Sequence, residues 1–269
     1  MIIIGERVHA TRKPVAAAIR DHDETQIVKE IRNQDEAGAD YIDLNAGAES
    51  GDPEQEIANI KWLVDVALRT TEKKLSLDSS DPVVLEKAVQ YMDGRRPVLL
   101  NSVNGEADRL GPVLALAAAN ECPVIALAMD DSGIPNEVAR RIEVCEMILA
   151  AAKEAGVPED NICFDPLALP VCNDVKQATV TMATLREIKA KFPRTKTTLG
   201  LSNVSHGLPR RTLVNQAFLI AALSNGLDSA ICDPTDRGIR RAIALGELIG
   251  GTDRHGRRYA RRIRKGEIE

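Results

Sequence analysis

Several short apolar runs in this chain stop on a carboxylate or a carboxamide. Asn45 closes Tyr41-Ile42-Asp43-Leu44, Asp78 closes Leu75-Ser76-Leu77, Asn101 closes Val98-Leu99-Leu100 and Asp165 closes Ile162-Cys163-Phe164. Leu199-Gly200-Leu201 runs into Ser202 and Asn203, Ile2-Ile3-Ile4-Gly5 into Glu6 and Arg7, and the run at 228–232 into Asp233. A polar side chain where a buried strand stops is held rigidly by the strand and left open by the loop, which is where parallel α/β proteins keep their chemistry. As a set these groups are acceptors and mixed donor-acceptor amides, short of cations. Such a lining suits a neutral heterocycle rich in N–H groups, because each hydrogen bond to a carboxylate is worth about 1.5–3 kcal/mol. It suits a bare phosphate badly.

The elements that would position these groups follow from periodicity. Strands are predicted at 2–5, 40–45, 74–78, 97–101, 123–129, 161–165, 197–202 and 228–232. Helices are predicted at about 24–37, 53–70, 82–92, 106–120, 135–155, 174–191, 211–225 and 237–250, with Asp52-Pro53 and Asp81-Pro82 reading as N-caps followed by proline, and Gly38, Gly156 and Gly226 as stops. Short apolar strands alternating with helices imply parallel pairing with right-handed crossovers. Eight such units at a spacing of roughly 30 residues have the size of a (β/α)₈ TIM barrel. The competing architecture, an open doubly wound sheet, lacks its GxGxxG turn after the first strand. In a barrel all eight strand ends converge on one mouth, so Glu6, Asn45, Asp78, Asn101, Asp165, Ser202, Asn203 and Asp233 are expected around a single pocket. Glu6 and Arg7 read equally as a salt bridge plugging that mouth or as ligand contacts. A strand-end aspartate also reads as a cap for the next helix, Asp78 before Ser79-Ser80-Asp81-Pro82 being an example.

Other chemistries are disfavoured by what is missing. A two-metal hydrolase would add histidines at the strand ends, and His9, His22, His206 and His255 form no HxH or HxxxH pair. There is no GxSxG elbow, no Walker-type loop and no strand-end lysine for a Schiff base. The cysteines 122, 145, 163, 172 and 232 contain no CxxC pair and read as reduced thiols. A formal net charge of -5 argues against a nucleic-acid partner. No apolar stretch approaches the roughly 20 residues of a membrane span, and the N-terminus lacks a basic n-region and a long h-region, so a cytoplasmic protein is expected. Residues 1–250 are expected to form the barrel; 251–269, with Arg254, Arg257, Arg258, Arg261, Arg262, Arg264 and Lys265, read either as a solvated Arg-rich C-terminal tail or as an arm for an acidic partner.

Taken in order, Gly5-Glu6-Arg7, Asp43-Leu44-Asn45-Ala46-Gly47, Leu77-Asp78-Ser79, Asn101-Ser102, Asp165-Pro166-Leu167 and Gly200-Leu201-Ser202-Asn203-Val204-Ser205 resemble the methyltetrahydrofolate:corrinoid/iron-sulfur protein methyltransferases. These belong to the pterin-binding superfamily, with dihydropteroate synthase and the folate module of cobalamin-dependent methionine synthase. The resemblance covers residues 1 to about 250. It implies a TIM barrel, usually a homodimer, that holds the pterin of tetrahydrofolate or methyltetrahydrofolate in its mouth and exchanges the N5-methyl group with a cobalamin (corrinoid) carried by a separate corrinoid protein, with no bound metal of its own. It implies that Asp78, Asn101 and Asp165 hydrogen-bond the pterin edge, that Asn203 is the catalytic group at N5, and that Glu6, Ser202, His206 and Arg211 complete the pterin site. The chain departs from the family at Val8-His9, where relatives carry Ile-Asn, and at His206, often glutamine. Two other readings stand beside this one: a dihydropteroate synthase-type condensing enzyme, which would be expected to place a lysine where this chain has Ser202-Asn203, and a catalytically idle docking subunit for a corrinoid protein, motivated by the tail.

Overall fold

The computed structural model describes residues 1–47 and 51–268, which leaves the last residue of the expected tail outside the described residues. Eight parallel strands run in the order β7-β6-β5-β4-β3-β2-β1-β8. They are β1 (Ile2–His9), β2 (Tyr41–Asn45), β3 (Lys74–Asp78), β4 (Val98–Val103), β5 (Val124–Leu127), β6 (Ile162–Asp165), β7 (Lys196–Thr197) and β8 (Ser229–Cys232). The helices are α1 (Lys13–Asp21), α2 (Glu24–Glu36), α3 (Pro53–Thr70), α4 (Pro82–Met92), α5 (Ala107–Ala119), α6 (Val138–Ala155), α7 (Lys176–Lys191), α8 (Arg211–Ser224), α9 (Arg237–Ile249) and α10 (Arg257–Arg264).

The sheet curls into a TIM barrel that is almost closed. The seam between β7 and β8 holds one backbone bridge, Gly200 with Ile231, and side chains supply the rest. Asp228 accepts the Thr197 N–H at 2.9 Å, and the Ser229 hydroxyl donates to the Thr197 carbonyl at 3.0 Å. Two layers of apolar packing follow from the two-residue period of the strands. Outward positions such as Ile42, Leu44, Leu75, Leu77, Leu100 and Phe164 pack under the helices. Inward positions Ile4, Leu99, Ile125 and Cys163 plug the barrel, with Tyr41, Leu127 and Ile231 against them.

Helix starts follow the sequence signals. Asp52 and Asp81 cap α3 and α4 by accepting the N–H groups of Glu54 (3.1 Å) and Val83 (2.8 Å), each with proline in the first turn. Asp78 is thereby released from the capping role its sequence context allowed.

Two expectations need correction. The first strand does not stop at 5 but continues to His9, because Arg7 is accommodated by Glu30 and Asp233, each at 2.6 Å, and a separate helix α1 follows. The seventh strand does not reach 202: its regular part ends at Thr197, and Leu201–Ser205 form a 3₁₀ turn. The Ser202 carbonyl in that turn accepts from Ser205 Oγ (3.3 Å) and from the Arg211 guanidinium (2.6 Å), which satisfies it without a strand partner. The basic segment after 250 is helical and largely exposed in its described part. Arg258 and Arg262 reach back to Glu247, at 3.3 and 3.5 Å, and Glu247 also holds the Met1 ammonium at 2.6 Å.

Candidate active site

The residue two positions beyond each barrel plug points the same way, into the space above it. Glu6 stands above Ile4, Asp43 above Tyr41, Asn101 above Leu99, Asp165 above Cys163 and Asp233 above Ile231. An apolar floor thus carries a polar layer, and over it opens a cavity of about 730 Å³ lined by residues including Glu6, Asp43, Asp78, Asn101, Ser202, Asn203, His206 and Arg211. Strand register sets the neighbours, pairing Asn45 with Asp78 and Asp78 with Asn101.

Asp78 receives the Asn45 amide at 3.1 Å, and His9 Nε2 lies 3.5 Å from the same carboxylate. Asn101 donates to Asp43 Oδ1 at 3.3 Å, which turns its amide oxygen away from that carboxylate. Burial pushes the Asp43 carboxyl up to about 6; burial and the Asp43 charge together raise Asp78 well above the usual carboxylate range. Each of the two acids thus ionises less readily than a carboxyl in water, burial being the first cause for both. Burial lowers His9, with the Arg12 guanidinium adding to it, which favours the neutral imidazole.

On the opposite wall the Ser202 hydroxyl donates to Glu6 at 2.6 Å. Arg211 is engaged by Ser205 Oγ (3.1 Å) and the Ser202 carbonyl, bracing the 3₁₀ turn from the first residue of α8. The Asn203 side chain folds over Gly200, where an added Cβ would come within 2.9 Å of its amide nitrogen. Its exposed carboxamide makes no hydrogen bond among the described residues, so both its donor and its acceptor are free to meet a ligand. His206, at the end of the turn, is exposed at the rim.

The cavity therefore gathers Glu6, Asp78, Asn101, Ser202, Asn203, His206 and Arg211. Asp165 is different: it belongs to the same layer but does not line the cavity. Its carboxylate accepts the Leu167 N–H at 2.7 Å, and burial pushes its carboxyl up to about 6 against these backbone bonds to Leu167 and Gly200. The turn it holds is fixed from behind by Arg141, fully buried, which donates to the Pro166 and Leu167 carbonyls at 2.6 and 2.9 Å. Sequence reasoning missed Asp43 as a site residue. Its signal was there, since Asp43 and Asn45 share one strand face while Leu44 faces the helices.

A polar pocket of carboxylates, amides and arginines over a closed apolar floor, at the mouth of a TIM barrel, is the arrangement of a barrel enzyme. Consistent with that class, the family model described as a pterin binding enzyme matches residues 5–233, and the chain belongs to this family. It is 35% identical over 270 residues, all of this chain and 98% of the relative, to the methylcorrinoid:tetrahydrofolate methyltransferase of Eubacterium limosum. It is 29% identical over 244 residues to the methionine synthase of Mycobacterium tuberculosis, covering 86% of this chain and 20% of that much longer protein. Among solved structures, the dihydropteroate synthase of Coxiella burnetii with pteroic acid shares the fold at a TM-score of 0.65 and 20% identity, covering 84% of this chain and 87% of that one. The Yersinia pestis DHPS with a pterine-sulfa conjugate does so at 0.72 and 17%, covering 94% of each.

Proposed function

We propose that this protein moves a methyl group between N5 of tetrahydrofolate and the cobalt of a corrinoid carried by a separate protein. The observation that carries the reading is the free carboxamide of Asn203, presented to the same cavity as Asp78 and Asn101. A pterin whose N–H edge meets Asp78 and Asn101 can then turn N5 toward Asn203. The full-length similarity to a methylcorrinoid:tetrahydrofolate methyltransferase supports the same assignment. In this reading Asp165, Ser202, His206 and Arg211 shape the pterin site through the turns that carry them, and the protein works as a cytoplasmic homodimer.

The chemistry required of the chain is modest and specific. In the direction from corrinoid to folate, the N5 lone pair attacks the methyl carbon in line, and the carbon–cobalt electron pair stays on cobalt. In the other direction a tertiary amine leaves poorly unless N5 gains a proton or a hydrogen bond as its bond to carbon breaks. An amide serves both directions, since it can accept from N5–H and, rotated, donate to the N5 lone pair, acting where charge changes most between ground and transition state. The open mouth leaves the methyl group reachable by a protein-borne cobalt. A synthase displacing diphosphate would want free cations, but Arg7, Arg12 and Arg211 are already engaged and no lysine lines the cavity among the described residues.

The test is to mix the purified protein with tetrahydrofolate and free methylcobalamin, and separately with methyltetrahydrofolate and cob(I)alamin, following the visible spectrum. Interconversion of the two cobalt states with matching folate products is expected. Folate binding without any cobalt change would favour a docking role and remove the proposal.

A further inference from the structure

Glu6 stands on the partition between two spaces. On one side is the mouth cavity; on the other is a smaller cleft of about 190 Å³ that Glu6 lines together with Thr212, Asn215 and Asp236. Ser202, Arg211 and Asp233 share that partition, lining both. The Ser202 hydroxyl, one residue from Asn203, occupies Glu6 Oε1 at 2.6 Å. Asn215 is only 8% exposed, and its amide oxygen has no donor among the described residues. A buried carbonyl oxygen left without a donor costs about 1–3 kcal/mol, and a cleft of this size has room for water.

Methylation of tetrahydrofolate also leaves a proton to place. Asn203 cannot take it, because an amide exchanges hydrogen bonds but not protons near neutral pH. Asp78 and Asp43 are assigned to the ring edge and to Asn101.

Building on the methyl-transfer reading, we infer that Glu6 accepts the proton that N5 releases and that the cleft beside Asn215 is its route to solvent. The N5 lone pair forms the new bond to carbon, the carbon–cobalt pair reduces Co(III) to Co(I), and the N5–H bond breaks with its proton passing through cavity water to the Glu6 carboxylate. Cleft water then carries it out. In the reverse direction protonated Glu6 supplies the proton that lets N5 leave.

The charged and titratable groups facing Glu6 come from several elements: Asp43 on β2, Cys232 and Asp233 at the end of β8, Asp236 before α9, Arg211 on α8 and Arg7 on its own strand. Burial pushes the Glu6 carboxyl up to about 7; the Ser202 bond opposes this, Asp233 and Asp43 reinforce it, and Arg211 opposes it. A group of that acidity exchanges protons readily near neutral pH.

The experiment measures methyl transfer from methylcobalamin to tetrahydrofolate over about pH 5.5 to 8.5 in the native protein, Glu6→Gln and Glu6→Asp, with tetrahydrofolate affinity titrated alongside. The native rate should rise with pH through an ionisation near neutrality and, run backwards, fall through the same one. Glu6→Gln should lose about 10²-fold or more in kcat and the pH-dependent limb, while tetrahydrofolate affinity stays within about threefold. Glu6→Asp should retain the limb. Native turnover and an unchanged profile in Glu6→Gln would overturn the inference, as would loss of tetrahydrofolate binding, which would make Glu6 a binding group. Asn215→Leu, which fills the cleft away from the ring, covers the case in which Glu6→Gln does not fold: slowed turnover at native affinity supports the route, and native turnover overturns it. Absence of methyl transfer in the native protein in both directions refutes the underlying reading, and the inference falls with it.

Discussion

The side-chain amide of Asn101 donates to the carboxylate of Asp43 at 3.3 Å across the space above β3, with Asp78 between them in the strand order. Asp43 therefore decides which way Asn101 faces, and its charge adds to burial in raising the Asp78 carboxyl. Its own carboxyl sits at about 6, raised by burial from an unfolded value near 3.9, so between those values the folded chain holds a proton that the unfolded chain has released. The stability contributed by this group is complete below about pH 4 and lost as pH rises through about 6. Asp43→Asn is expected to stabilise the ligand-free protein above pH 7 by on the order of 2–3 kcal/mol and to weaken tetrahydrofolate binding. Denaturant titrations at two pH values, with a binding titration, check both halves.

Asn203 and Asp165 are expected to fail differently. Asn203→Ala should keep most folate affinity and lose turnover by on the order of 10²–10³, the cost of removing one preorganised hydrogen-bonding group at the reacting atom. Asp165→Ala releases the Leu167 N–H and should lose folate binding instead. Equilibrium titration beside steady-state rates separates the two, and the reverse pattern would exchange the roles.

His9 is held in one tautomer by its surroundings. Its Nδ1 accepts the Thr11 N–H at 3.2 Å, which leaves the proton on Nε2, facing Asp78 at 3.5 Å. His9→Ala should weaken folate binding about 2- to 10-fold, the worth of one ordinary hydrogen bond, with kcat for bound folate nearly unchanged.

Glu247 ties the two ends of the described chain together. Its side chain is 3% exposed and meets the Met1 ammonium, Arg258 and Arg262. Glu247→Gln strands a buried ammonium and should cost about 3 kcal/mol, the low end for breaking a buried pair. Truncation after residue 250 should lower the melting temperature by taking Arg258 and Arg262 from the buried Glu247 carboxylate, while methyl transfer to free cobalamin persists at temperatures where the barrel stays folded. A calorimetric scan of each variant measures this.

The barrel and most of its mouth were legible in the sequence because strand ends obey a two-residue period and their helices carry recognisable caps. Of the strand-end groups expected around one pocket, Glu6, Asp78, Asn101, Ser202, Asn203 and Asp233 line the cavity, while Asn45 and Asp165 do not. Other features depend on partners far away in the chain. Nothing local to Glu6-Arg7 says that Glu30 and Asp233 will let β1 run on to His9, nor that Ser205 and Arg211 will turn the end of the seventh strand into a 3₁₀ turn. α1 opens without a side-chain cap, and Pro14 in its first turn was its one start signal. The basic segment is largely exposed, but its anchoring was not legible, because Glu247 looks in sequence like one more exposed helix residue.

The most direct measurement is a crystal structure of the protein with 5-methyltetrahydrofolate bound. The pterin edge should lie within hydrogen-bond reach of Asp78 and Asn101, with the Asn203 carboxamide at N5 and the methyl group facing the open mouth. A pterin seated elsewhere, or an N5 that Asn203 does not touch, would contradict the account.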